Sequence, residues 1–308
     1  MRSTEKYRLI TRSDFDGLVC AVLFRALDMI DEIKFVHPKD MQDGLVALSD
    51  RDITANLPYV EGVKLCFDHH ASESVRSGDH ENYVINSAAP SAARVIYEHY
   101  GGADKFTDVS EEMMRAVDKG DSANFTMDEV LYPERWNLLN FIMDARTGLG
   151  RFKNFRISNY QLMMDLIEYC REYSIEEILN LDDVKERVKL YFEHEAMFKE
   201  QLRKCSRVDA NVLVVDTRGQ DPIFAGNRFI KYALFPATNI SVQVIWGFKH
   251  QNTVFTIGKS IFDKSSQVDV GELMLTYDGG GHNAAGTCQV PNEDAEQVLG
   301  ELVEALKD

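Results

Sequence analysis

The sequence predicts an α/β protein: a parallel-sheet N-terminal lobe, a helical connector and a smaller C-terminal α/β lobe, with the active-site cleft expected between the lobes. Three observations carry this expectation. In the first hundred residues, apolar runs of strand length alternate with helical patterns, as in a parallel sheet covered on both faces. From about residue 109 to residue 204 the pattern is mainly helical, and after residue 206 strand-length runs return. The 308 residues also exceed the usual size of one domain.

Residues 7–11 read as a short buried strand, followed by Ser13-Asp14-Phe15-Asp16-Gly17 and an apolar stretch, 18–29, long enough for a helix. Further strands are expected at 33–36, 53–57, 63–67 and 83–85. Pro90-Ser91 opens a helix that runs through Tyr100 to the stop at Gly101-Gly102. Gly120, Pro133 and the 148–150 stretch interrupt the helical middle. The charged, periodic segment 175–205 reads as a connecting helix with a solvated face. In the last third, 212–215, 240–246 and 253–257 read as strands, with helices near Phe229 and at 293–306. The limits expected for the lobes and connector are 1–180, 181–205 and 206–308.

Composition narrows the function. Fifty acidic against 34 basic residues leave a net charge of −16, which repels long polyanions but not a short phosphorylated molecule held by a local cation cluster. No long duplex nucleic acid is expected as a partner, although a short oligonucleotide fits, as does a homodimer. No apolar run reaches the roughly 18 residues that span a bilayer, and the first seven residues are polar, so a cytoplasmic protein with no membrane partner is expected. The five cysteines are scattered without a CxxC pair, which argues against a disulfide framework or a thiolate zinc site. They read as small apolar core residues.

Three segments carry chemistry. Asp14-Phe15-Asp16-Gly17 ends the first strand, where ligands gather in an open α/β sheet, and two carboxylates two residues apart in an extended loop can converge on one or two divalent cations. A plain surface turn is the alternative. Asp68-His69-His70 ends another strand, and imidazole nitrogen with carboxylate oxygen suits manganese, zinc or iron; a polar capping loop is the alternative. Tyr277-Asp278 precede Gly279-Gly280-Gly281-His282-Asn283-Ala284-Ala285-Gly286, read as a loop of small residues before a helix. Its backbone amides can cradle an anion that His282 completes, or it serves tight packing alone.

Together, Ser13-Asp14-Phe15-Asp16-Gly17, Asp68-His69-His70 and Gly279-Gly280-Gly281-His282 resemble, in order and spacing, the DHH phosphoesterases that carry a DHH-associated C-terminal domain. The similarity runs from about residue 7 to residue 291. It is greatest to the exopolyphosphatase-related group, by size and by Asn56-Leu57-Pro58-Tyr59 ahead of Asp68. The resemblance implies that Asp14, Asp16 and His69 coordinate a manganese pair (Mg2+ or another divalent cation being an alternative), with Asp68 supporting them and His70 facing the reacting phosphate. A further acidic ligand falls at Asp121, favoured, or at Asp118. Arg12, Arg228, Lys259, Gly280, Gly281 and His282 are the expected substrate contacts, and Asn227 and Lys231 stand beside Arg228.

Two departures from the family pattern bear on the metals. Ile10, Arg12 and Ser13 occupy the positions where a His is usual, and Asn56 stands where a bridging Asp is expected, with Asp50 and Asp52 farther back. The expected function is metal-dependent hydrolysis of a phosphoester in a short nucleotide: a nanoRNA, a dinucleotide or an adenosine bisphosphate. Exopolyphosphatase or pyrophosphatase activity is one alternative, and a catalytically weakened sensor of a phosphorylated ligand is another.

Overall fold

The computed structural model describes residues 5–70, 73 and 76–307. The chain forms two compact units. The first runs up to Phe125 and includes Pro133–Ala145 and Leu149–Lys189; the second comprises Thr126–Tyr132, Arg146–Gly148 and everything from Leu190 onward.

The first unit is built on five parallel strands, β1 (Tyr7–Arg12), β2 (Ile30–Val36), β3 (Asp52–Ala55), β4 (Leu65–Asp68) and β5 (Tyr83–Ile85), in the order β2-β1-β3-β4-β5. The chain steps from β1 to one side and then returns to the other, so β1 and β3 flank the topological switch point where such sheets bind ligands. Thr11, Ala55 and Phe67 align in register. The next residues, Arg12, Asn56 and Asp68, therefore reach the same carboxyl edge together.

Helix α1 (Phe15–Ala26) is apolar all round, and every residue from Phe15 to Phe24 is buried, as expected of a helix enclosed by packing on all sides. It packs against α3 (Ala92–His99), α4 (Glu111–Asp121) and α7 (Asn159–Glu172); α2 (Pro38–Gln42) precedes these in the chain, and α5 (Met127–Leu131), which belongs to the second unit, and α6 (Arg135–Met143) lie between α4 and α7. Gly120 lets α4 approach α6 closely, since a Cβ there would lie 2.4 Å from Asn140 Nδ2. The segment read as one connecting helix is two: α8 (Ile175–Asn180) ends in a break at Leu181, and α9 (Asp182–Cys205) contributes residues to both units.

The second unit holds a mixed sheet of β6 (Ser206–Asp209), β7 (Val212–Asp216), β8 (Ile240–Trp246), β9 (Thr253–Lys259), β10 (Gly280–His282) and β11 (Ala285–Val290), ordered β10-β11-β9-β8-β7-β6 and parallel only between β7 and β8. Helix α10 (Ile230–Leu234) follows β7 in the chain. Helices α11 (Val270–Leu275) and α12 (Ala295–Ala305) share with the strands a core that includes Val242, Phe255, Met274 and Leu302. The glycine segment is thus an antiparallel hairpin following α11, not a loop opening a helix. Both β6 and α11 lack a clear pattern in the sequence. No helix among the described residues is long and apolar enough to cross a membrane.

Candidate active site

Helix α1 begins three residues earlier than its apolar run suggests. Asp14 is its N-cap, accepting from Gly17 N–H at 2.9 Å, and Asp16 lies in its first turn. The two carboxylates thus stand at a helix start instead of in an extended loop, and take different partners. Asp16 is buried and accepts the N–H groups of Ala92 (2.9 Å, Oδ2) and Ala93 (2.8 Å, Oδ1), two of the unpaired donors at the start of α3. Ser91 caps the same helix and donates to Asp118 Oδ1 at 2.7 Å, while Arg94 grips Asp118 Oδ2. Asp118 is thus a tie between α3 and α4, and it is Asp121, the last residue of α4, that enters the site.

Asp16, His69 and Asp121 present one ligand atom each within 4.8 Å of one another. His69 Nδ1 lies 3.1 Å from Ala89 O, which can only accept, so Nδ1 carries a proton and Nε2 is the atom turned inward. Nε2 is buried and 2.9 Å from Asp121 Oδ2, yet the two are not aligned for a hydrogen bond. That arrangement fits donor lone pairs aimed at a common third point, and an oxygen and nitrogen set of this kind suits a divalent transition metal. Without a cation the negative charge is held by protons. Burial and the charges of Asp121 and Asp14 push Asp16 up to about 7, although His69 and the Ala93 N–H oppose them. Burial works against a charged His69, but the adjoining Asp121 and the charge of Asp16 override it and raise the imidazole to about 9. Asp121 goes the other way: burial would raise it, and His69, His70 and Arg12 together bring it below the usual carboxylate range.

Asp68 is fully buried and orients the loop rather than joining this trio. Its Oδ1 accepts from His69 N–H (2.8 Å), His70 N–H (3.3 Å) and His70 Nδ1 (2.7 Å). Burial disfavours a charged His70, but the Asp68 carboxylate raises its pKa, so the half-exposed ring is suited to hand a proton outward. Asp14 and Asn56, expected as metal ligands, are turned to each other: Asn56 Nδ2 donates to Asp14 Oδ1 at 3.1 Å, and Arg12 Nε lies 2.9 Å from Asp14 Oδ2. Asn56 ends β3 with φ 55°, a left-handed conformation that Asn tolerates better than most residues. Asp52 is also outside the site, held by Arg8 and Ser49.

In the second unit, three glycines of the hairpin serve packing. A Cβ on Gly279, Gly281 or Gly286 would lie within 2.3 to 2.7 Å of Thr287 O, Ala285 O or Met274 Cγ, whereas one on Gly280 meets nothing within 4 Å. Lys259 Nζ donates to Asn283 Oδ1 at 2.9 Å, Asn283 in turn to Asp269 Oδ2, and His282 Nδ1 accepts from Ala284 N–H at 3.2 Å. Arg228 lies over the Phe229 ring, and Asn227 is buried, donating to Val130 O and accepting from Phe229 N–H. Lys231 lies over the Tyr232 ring at 5.2 Å; burial, then the charge of Arg228, lowers it to about 7. The residues that sequence reasoning missed are the α3 amides and Ser91; the Pro90-Ser91 helix start was their only signal.

A carboxylate and imidazole donor set at the carboxyl edge of a parallel sheet, beside a guanidinium, is an arrangement that could hold a divalent cation. No protein-family profile matches the chain, and no curated protein matches it. Among solved structures it is similar to a pGpG-specific phosphodiesterase, PggH, from Vibrio cholerae, at 58% identity and a TM-score of 0.83, over 98% of this chain and 99% of that one. It also shares its fold with an exopolyphosphatase-related protein from Bacteroides fragilis, at 12% identity and a TM-score of 0.53, over 97% and 92% of the two chains. With more than half its residues shared along the full length of the first, the chain belongs to the DHH phosphoesterases, hydrolases that depend on divalent cations.

Proposed function

We propose that this chain hydrolyses the phosphodiester bond of a short guanine dinucleotide, pGpG, to two molecules of GMP, with one water consumed per bond. The observation that carries the proposal is the 58% identity to a pGpG-specific phosphodiesterase across both whole chains. Asp16, His69 and Asp121 would hold the cation, and their oxygen and nitrogen donors suit manganese. When bound, a divalent cation supplies Lewis-acid activation of the phosphoryl group and of water. Asp68 fixes His70, which protonates the departing sugar oxygen. Arg228, Lys231, Lys259 and the Gly280, Gly281 and His282 edge are the second unit's candidates for contacts to a phosphorylated ligand. The free cysteines, four of them buried, fit a reducing, cytoplasmic setting.

The test is turnover of manganese-loaded protein on pGpG, other dinucleotides, adenosine bisphosphate and polyphosphate, with products separated by chromatography. GMP from pGpG at the highest kcat/KM is expected. Faster release of phosphate from polyphosphate would reject the proposal in favour of an exopolyphosphatase. Tight pGpG binding without turnover would make the chain a sensor of the dinucleotide.

A further inference from the structure

Asp14 lies close enough to Asp16 for its charge to count there, yet its own carboxylate is occupied. Gly17 N–H and Asn56 Nδ2 both donate to Oδ1, and the Arg12 guanidinium sits on Oδ2. Asn56 is buried, and its backbone N–H donates to Phe67 O at 3.0 Å, which holds its main chain beside Asp14. A cation on Asp14 would face the amide hydrogens of Asn56 and would have to displace Arg12, exchanging one positive group for another. The charges agree with this. Asp14, Asp16 and Asp121 bring three negative charges and Arg12 one positive; the remaining two are cancelled by one divalent cation, and a second would leave net positive charge in a largely buried site.

Arg12 meets Asp14 through Nε, and its side chain is 35% exposed, with no hydrogen bond from its terminal nitrogens among the described residues. A guanidinium anchored on one edge and open on the other presents a planar fork matched to two phosphoryl oxygens. Resting on the phosphodiesterase reading above, we infer that the site takes a single divalent cation, on Asp16, His69 and Asp121, and that Arg12, fixed by Asp14, supplies the second positive charge against the reacting phosphoryl group. Asn56 acts as a positioning residue, holding Asp14 in place for Arg12.

Metal content and phosphate affinity test this without recourse to turnover. Protein stripped with a chelator, reloaded with manganese and passed through gel filtration is expected to carry one manganese per chain. Calorimetry of the loaded protein with inorganic phosphate is expected to show affinity about 10- to 100-fold weaker in Arg12→Ala, the worth of a charge-assisted hydrogen bond, with part of it regained in Arg12→Lys. Arg12→Gln, which keeps an N–H donor at the Nε position for Asp14 and removes the charged terminal nitrogens, replaces the alanine variant should that one not fold. Two manganese ions per wild-type chain overturn the inference, as does unchanged phosphate affinity in the variants. Failure of the pGpG assay alone would reject the substrate and leave both of these readouts standing.

Discussion

Gly17 has no room for a side chain, because a Cβ would lie 1.9 Å from Arg12 O and 2.9 Å from Thr11 Oγ1. The same residue donates to Asp14, so the loop that sets Arg12, Asp14 and Asp16 closes around it. Gly17→Ala is expected to cost about 1–3 kcal/mol of stability by overpacking and to lower manganese content, read by denaturant midpoint and metal analysis. Gly280→Ala, into open space, should leave the midpoint within about 0.5 kcal/mol of wild type. Lys231 gives a pH-dependent case. Unfolded, its ammonium titrates near the ordinary 10.5; folded, burial and then Arg228 bring it to about 7. Between those values the unfolded chain holds the extra proton, so stability rises with pH across that window, and below pH 7 the full penalty is present. Lys231→Met should therefore raise Tm by about 3 °C at pH 6, and the gain should shrink as pH approaches 10. A gain that grows with pH would show that Lys231 has an anionic partner.

At the scale of elements, the site depends on how α3 meets α4. Asp118 receives Ser91 Oγ and the Arg94 guanidinium, so it fixes the helix start whose amides hold Asp16 and the helix end that bears Asp121. Asp118→Ala should weaken manganese binding about tenfold or more, as loss of supporting contacts does at metal sites, while circular dichroism remains that of the wild type. This coupling was not legible in the sequence, where Asp118 and Asp121 were rival candidates for one role. The strands were: β1 and β4, buried over consecutive residues, and the short edge strand β5 read as apolar runs close to their observed limits. The start of α1 lies ahead of its apolar run because Asp16 is polar yet buried, and that changes the site: Asp14 caps the helix while Asp16 sits in its first turn and takes the α3 amides. The glycine hairpin escaped notice for a related reason. Gly280, Gly281 and His282 carry no β-branched or aromatic signal, and Gly281 lies so close against β11 that a Cβ would fall 2.4 Å from Ala285 O.

Across the whole molecule, 50 acidic residues against 34 basic set how substrates of different length approach. On the proposed reading a dinucleotide would carry its few charges into one local cluster around Arg12, Asp16, His69 and Asp121, whereas a long polyphosphate or RNA would also have to lie along a surface whose average potential is negative. Screening separates the two. The Debye length shrinks from about 30 Å at 10 mM salt to about 8 Å at 150 mM, so distant surface carboxylates act on a long chain at low salt and lose that reach at physiological salt. The value of kcat/KM for pGpG should accordingly change less than about threefold from 10 to 150 mM sodium chloride, since the interactions that hold it lie within a few ångströms. Inhibition of the same reaction by a long polyphosphate or a 20-nucleotide RNA should be weak at 10 mM and no weaker at 150 mM. A protein with a continuous basic track behaves oppositely, because binding that releases counterions falls steeply as salt rises. Strong inhibition by the long polyanion at low salt that collapses at 150 mM would reveal such a track and return the exopolyphosphatase reading to first place.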